Sequence, residues 1–396
     1  MSENKNAELV LDSIKTINDW KIQKLKANIE SKEVTWFLGA GISVPFNIPL
    51  WDNLLKRMWT RLADAELTKK LAGFEKKKTD ETFLSESDEI ERSYYQLINS
   101  EKFNFYMGKE YKDRLKIALE GRRMEQFDNL NLLEFAEYIN NMIIEGQELP
   151  FETELKNSFI KGLTRNSLYA NYNEKLYVRK EKEAVGVLAR YLLSNQKKGQ
   201  KVITYNYDEV LEKMLIYKNN SILGKMNIVS EKSGITSAEE KVVDIYHVHG
   251  FLPKSEELKK YESKGIILAE SSYDEIEKYV YNWINTVQAN AFQTSMGIFL
   301  GFSGQDHNFR RILKNIDVVD EEETYNFMFV AINSFIEKCK DLGDEKKKGS
   351  ADYEFERRQL IDYMHAQEIY WKKYNIFPIW TTYKKLPEML KEILNV

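Results

Sequence analysis

A single cysteine, Cys339, among 396 residues excludes an intramolecular disulfide and any structural zinc site built from four thiolates. Long apolar runs are missing too: none approaches the ~20 residues that span a bilayer. The opening Met1-Ser2-Glu3-Asn4-Lys5 is too polar for a signal peptide, so the expectation is a cytoplasmic chain with no membrane contact. An excess of charge of one sign is also lacking. Lys and Arg number 58 against 62 Asp and Glu, a formal net charge of −4, which gives no reason to expect direct nucleic-acid binding. The lysine runs at 76–78 and 346–348 stand beside acidic residues and read as solvated faces. No Gly-Lys-Ser/Thr occurs, so a Walker-type loop is excluded. What remains is 43% hydrophobic and 30% charged, the profile of a globular chain with a large core.

Hydrophobic periodicity gives that core its class. Val34 to Leu38 is a short apolar strand preceded by a lead-in helix over Ala7 to Ile29. After Trp51 the spacing is helical as far as about Asn195, with a charged loop within Lys76 to Arg92. Beyond that, strands are expected at 202–205, 245–248, 265–268, 298–301, 327–332 and 376–380. Helices are expected at 209–217, 273–294 and 309–316. The alternation predicts an α/β fold: a Rossmann-like, doubly wound, mainly parallel sheet with a large helical insertion. Residues 1–51 open the core, 52–200 form the helical insertion or cap, and 201–396 complete the core.

Polar residues collect at four strand ends. They are Gly39-Ala40-Gly41-Ile42-Ser43, Thr204 to Asp208, His247-Val248-His249-Gly250, and Gly301 to Asn308. Two glycines after a buried strand let a phosphate approach bare backbone, although Val44 stands where a full dinucleotide fingerprint has a third glycine or alanine. Singly, each segment also reads as ordinary structure. Asn206 and Asp208 suit a strand exit and helix N-cap, and Ser303, Asp306 and Asn308 suit a turn before a helix. His307 reads as a loop or capping residue, and His365 as exposed. His247 and His249, two apart, would share a strand face, but no third metal ligand follows them, so no metal site is expected.

Taken together, the four segments resemble the sirtuin family, and more closely the sirtuin-like proteins of prokaryotic antiphage defence. The resemblance rests on Gly39 to Ser43, Thr204-Tyr205-Asn206-Tyr207-Asp208, His249-Gly250, and a Gly-x-Ser-x-x-Asp-x-Asn-x-Arg segment from Gly301 to Arg310. Two departures matter. The four zinc cysteines of protein-deacylating sirtuins are absent. Asn47-Ile48-Pro49-Leu50-Trp51-Asp52 stands where those proteins carry Gly-Ile-Pro-Asp-Phe-Arg. The resemblance therefore implies hydrolysis of NAD+ to nicotinamide and ADP-ribose, with NAD+ as substrate and no zinc. The alternatives are a non-catalytic NAD- or ADP-ribose-binding module and a zinc-free deacylase.

In that reading Asn206 orients the ribose or the attacking water, and His249 is the general base. The N–H groups from Ala40 to Ser43, beside Gly39 and Gly41, would take the pyrophosphate. Asp208 would position the loop or a ribose hydroxyl. Gly301, Ser303, Asp306 and Asn308 would surround the adenosine half. The resemblance also implies a homo-oligomer, with a HerA-type ATPase or a phage-derived activator as partner.

Overall fold

Val34–Leu38 is buried at every position, as a strand covered on both faces requires. The computed structural model describes residues 16–58, 61, 132–145, 153–195, 200–232, 242–277, 282–316, 325–336, 338, 339, 342 and 344–396. The strands are β1 (Val34–Leu38), β2 (Gln200–Thr204), β3 (Met226–Val229), β4 (Val243–His247), β5 (Met296–Leu300), β6 (Asn326–Ala331) and β7 (Ile376–Thr381). They form one seven-stranded sheet in the order β3-β4-β2-β1-β5-β6-β7, and every pairing is parallel. The fold is a Rossmann-like α/β sheet. From β1 the chain builds outward through β2 on one side and returns to β5 on the other. The order thus reverses at β1, and in open sheets the crevice at such a reversal is where ligands bind.

The chain divides into two compact units. The first comprises Met1–Phe46, Asn173–Ser263 and Ile276–Val396, and the second Asn47–Tyr172 with Lys264–Glu275. The sheet lies in the first. Its main helices are α1 (Thr16–Ile29), α2 (Ala184–Ser194), α3 (Val210–Lys218), α4 (Trp283–Thr294), α5 (His307–Asn315), α6 (Ala351–Lys372) and α7 (Leu386–Leu394). In the second unit the described residues 51–58, Leu132–Glu145 and Thr153–Leu168 are helical. There Glu137 accepts the backbone N–H of Ser271 at 2.9 Å, tying the returning segment to the helix Leu132–Glu145.

Several boundaries differ from the sequence expectation. The edge strand β3 was not expected; its Met-Asn-Ile-Val is too short to show a period. Residues 265–268 form no strand. Their apolar run, with Ile267 and Leu268 buried, packs as irregular chain instead. The single helix expected over 273–294 is two, Glu270–Glu277 and α4. Asn282 starts the second by accepting the Ile284 N–H on its side chain at 3.1 Å. The lead-in helix is described from Thr16; residues 7–15 and the segment 76–92 lie outside the described residues.

Aromatic packing fixes the centre of the sheet. Phe37 of β1 stacks on Phe299 of β5, ring centroids 4.5 Å apart, and on Phe292 of α4 at 4.9 Å. Phe302 and Phe309 continue the cluster toward the ends of the strands. At the β7 edge the unpaired backbone would be a liability. It is covered by α1. Asn18 gives its side-chain N–H to Trp380 O at 2.6 Å and accepts Trp380 N–H at 2.9 Å, as a neighbouring strand would. Lys21, buried, adds a bond to Pro378 O at 2.9 Å and pairs with Glu368. Asn18→Ala strips both partners from Trp380 and should lower unfolding free energy by roughly 1–3 kcal/mol. Urea denaturation checks this, and an unchanged midpoint would show that the edge does not depend on α1.

Candidate functional site

The loops leaving β1 and β5 meet without room for side chains. Gly39 N–H donates to Leu300 O, and Gly41 N–H to Gly301 O, both at 3.0 Å. A Cβ on Gly39 would lie 2.5 Å from Gly301 O, and one on Gly301, whose φ is +60°, 2.3 Å from Ile42 N. Only glycine fits that approach. The N–H groups of Ile42 and Ser43 turn back to Gly39 O and Ala40 O at 3.2 and 3.1 Å, closing a short 3-10 turn over Ala40–Ile42. Of the four N–H groups from Ala40 to Ser43, three therefore already donate to backbone carbonyls. The glycine pair here joins two loops; its N–H groups do not form an open cradle.

Beneath this turn lies a directional hydrogen-bond chain. Ser43 donates its hydroxyl to Asp208 Oδ1 at 3.0 Å. Asn206 gives its side-chain N–H to Ser43 Oγ at 3.3 Å and to Gly39 O at 3.2 Å. Asp208 Oδ1 also accepts Val210 N–H at 3.0 Å, at the start of α3. The N-cap position of α3 is Glu209, not Asp208; Asp208 stands one residue earlier, bonds Val210 N–H across it, and is joined to Asn206 through Ser43. Asn206 Oδ1 is buried and has no hydrogen-bond partner among the described residues. Burial, reinforced by the nearby Glu212 charge, pushes the Asp208 carboxyl up to about 6, against the lowering effect of Val210 N–H, Ser43 and His247.

β4 ends at His247, so His247 and His249 do not share a strand face; His249 already lies in the turn beyond it. Its ring packs edge-on against Tyr205, centroids 5.0 Å apart. Tyr205 is pinned in turn by a hydrogen bond from its hydroxyl to Gln288 and by contact with Phe302. Nε2 of His249 lies 3.2 Å from Asp306 Oδ2. That contact does not meet hydrogen-bond geometry. The other oxygen of Asp306 caps α5 by accepting Phe309 N–H at 2.7 Å. Asp306, expected to lie with the adenosine contacts, faces His249. Among the described residues no group of three or more His, Cys, Asp or Glu could hold a metal ion.

The other expected residues are placed variously. Ser303 is exposed, and its hydroxyl accepts Gln305 N–H at 3.3 Å. Asn308 is buried, with its amide used at both ends: it donates to Asn285 Oδ1 at 3.1 Å and accepts from Arg311 at 2.7 Å. His307 is the first residue of α5 and exposed. Two glutamates escaped the sequence reading. Glu209 Oε2 accepts the N–H groups of Lys254 and Ser255 at 2.9 Å each and the Ser255 hydroxyl at 2.8 Å, which anchors the chain that follows His249. Glu212 lies against His247. Both sit in the first turns of a helix, where a glutamate reads as a dipole partner and gives no other signal.

The raised Asp208 carboxyl has a definite sign. The folded chain binds that proton more tightly than the unfolded chain, so Asp208 contributes stability at low pH that is lost as pH rises from about 4 to about 6. Two units correspond to roughly 3 kcal/mol. Urea titrations of the wild type and Asp208→Asn should therefore diverge across that window, the wild type losing stability relative to the variant. Parallel curves would refute the burial of an ionising carboxylate here.

The site lies largely within a recognised family segment: the sequence profile of the SIR2-like domain matches residues 200–379. No curated protein matches the chain. The matched stretch runs from β2 nearly to the end of β7 and carries Asn206, His249 and Asp306.

Proposed function

We propose that the chain is a sirtuin-like NAD+ hydrolase that releases nicotinamide and ADP-ribose. The observation that carries the reading is the Asn206 amide. Its nitrogen is held by Gly39 O and Ser43 Oγ, while its oxygen is buried and has no partner among the described residues. A buried acceptor without a donor is costly, and a ribose hydroxyl or the attacking water would satisfy it. The SIR2-like match over residues 200–379 supports NAD+ as the molecule that brings that hydroxyl.

The chemistry asks little of the protein. The nicotinamide nitrogen is already cationic, so the C1′–N bond breaks with nicotinamide leaving neutral and positive charge gathering on the ribose. Water adds to C1′ and gives up a proton. His249 takes that proton, either directly or through a ribose hydroxyl. Asp306, 3.2 Å from Nε2, offsets the positive charge that the transfer places on the ring. Asn206 fixes the water or the ribose for attack. The Gly39–Gly301 junction holds Gly39 O and Ser43 in place, and Ser43 and Asp208 act through Asn206. With one cysteine in the chain, a four-thiolate zinc module of the deacylating kind has no ligands here, which favours hydrolysis over peptide deacylation. In this reading the output is NAD+ depletion in antiphage defence. It would occur in the cytoplasm, from a homo-oligomer, under control of a HerA-type ATPase or a phage-derived activator.

The test is nicotinamide release from NAD+ by the purified chain, alone and together with the product of its genomic neighbour. Asn206→Ala and His249→Ala should each lower kcat by about 100-fold or more while the circular dichroism spectrum stays unchanged. Full activity in His249→Ala would refute the assignment of the base. Calorimetric binding of NAD+ without turnover in any of these mixtures would replace the hydrolase with a binding module.

A further inference from the structure

His247 and Glu212 form a buried couple that the mechanism above leaves unused. Both side chains are essentially without solvent contact, at 0% and 1% exposure. His247 Nδ1 lies 3.0 Å from the backbone oxygen of Asn206, and Nε2 lies 2.9 Å from Glu212 Oε1. The ring packs on Phe251 with centroids 4.1 Å apart. A carbonyl oxygen only accepts, so Nδ1 must carry a proton and donate it. Two bare acceptors 2.9 Å apart would repel, so a second proton lies between Nε2 and Oε1. The couple is then electrically neutral as a pair, wherever that second proton sits.

This arrangement is costly for a mere filler of the core. An ionisable pair buried this deeply contributes no more stability than well-packed apolar side chains of the same volume. What it supplies is direction. Asn206 is the residue whose amide must be aimed, and nearly all its polar atoms are fixed. Its N–H goes to Thr204 Oγ1 at 3.1 Å, and its side-chain nitrogen goes to Gly39 O and Ser43 Oγ. Its carbonyl goes to His247. Among the described residues only Oδ1 is left without a partner. The register adds leverage, because His247 is paired with Thr204, two residues before Asn206 on the neighbouring strand.

We propose that His247, held in its Nδ1–H form by Glu212, is a positioning residue that clamps the Asn206 carbonyl and so aims the Asn206 side-chain oxygen at the reacting ribose. The inference rests on the hydrolase reading for its substrate but not for its geometry. Glu212 acts only through His247, and neither residue exchanges a proton with substrate.

The chain has four histidines, which makes a histidine-selective 15N spectrum assignable by single substitutions. His247 should show a protonated Nδ1 in the wild type and in Glu212→Gln, whose amide can still donate to Nε2. In kinetics, His247→Gln, which places no donor near the Asn206 carbonyl, should lower kcat about 100-fold with KM for NAD+ moving less than about 3-fold. His247→Asn sets its amide nitrogen near the Nδ1 position and should recover at least about a tenth of wild-type kcat. Glu212→Gln should likewise recover most of what Glu212→Leu loses. An Nε2–H tautomer with bare Nδ1 overturns the clamp whatever the substrate. Glu212→Gln as inactive as His247→Gln also overturns it, since it would make Glu212 a proton carrier. A protonated Nδ1 in a chain that turns over no NAD+ would support the clamp and sink the hydrolase reading alone.

Discussion

No Cβ fits where the loops leaving β1 and β5 cross, and the rest of the site depends on that constraint. With Gly39, Gly41 and Gly301 in place, the two loops bond backbone to backbone at the point where the sheet reverses its order. The turn over Ala40–Ile42 then delivers Ser43 downward, within reach of Asp208 and Asn206 from the next strand. Gly39 O, freed from any ladder by the turn, accepts from Asn206 directly. A side chain at Gly39 or Gly301 would meet backbone at 2.5 or 2.3 Å, so the two loops would have to shift apart. That shift would disturb Gly39 O and Ser43, the two anchors of the Asn206 amide. The glycines thus act on the site through packing, and their contribution is felt one strand away.

The second constraint is polarity without solvent. Ser43, Asn206, Asp208, Glu212, His247 and His249 are all under 9% exposed. Each brings a desolvation cost, and a low-dielectric surround makes every misaligned bond expensive. The network answers by giving each group a fixed role as donor or acceptor. Asp208 accepts from Ser43, Ser43 accepts from Asn206, and His247 donates to the Asn206 carbonyl. Reversing any one of these would leave two acceptors or two donors facing each other. The raised carboxyl of Asp208 is the visible residue of that cost.

The sequence made the sheet legible where both faces are buried, and less so at its margins. Val34–Leu38, with Trp36, Phe37 and Leu38 nearly inaccessible, can hardly be anything but a central strand. The short edge strand β3 has no period to read, and the equally apolar 266–268 run is no strand at all, because burial alone does not require a ladder partner. The Asn282 N-cap falls inside the span of helical spacing expected over 273–294, and that spacing does not show it. For the site, the gathering of polar residues at the strand ends could be read from strand–loop order. Their partners could not. That Asp306 faces His249, that Glu209 holds the Lys254–Ser255 backbone and that Glu212 meets His247 are facts of tertiary register.

The two histidines show why register decides chemistry here. Spacing of two on a strand would have placed both rings on one face. β4 ends at His247, however, and the chain turns there. One ring is driven into the core against Phe251 and Glu212, with both nitrogens occupied. The other, also buried, lies in the turn beyond the strand beside Tyr205 and Asp306. The same side chain therefore serves two ends. A buried imidazole with two fixed partners has no lone pair to offer a substrate proton, and so can only hold. In the proposed reaction the imidazole beyond the strand end, flanked by Asp306 and Tyr205, is the proton acceptor. The separation of holding from accepting follows from where one strand stops.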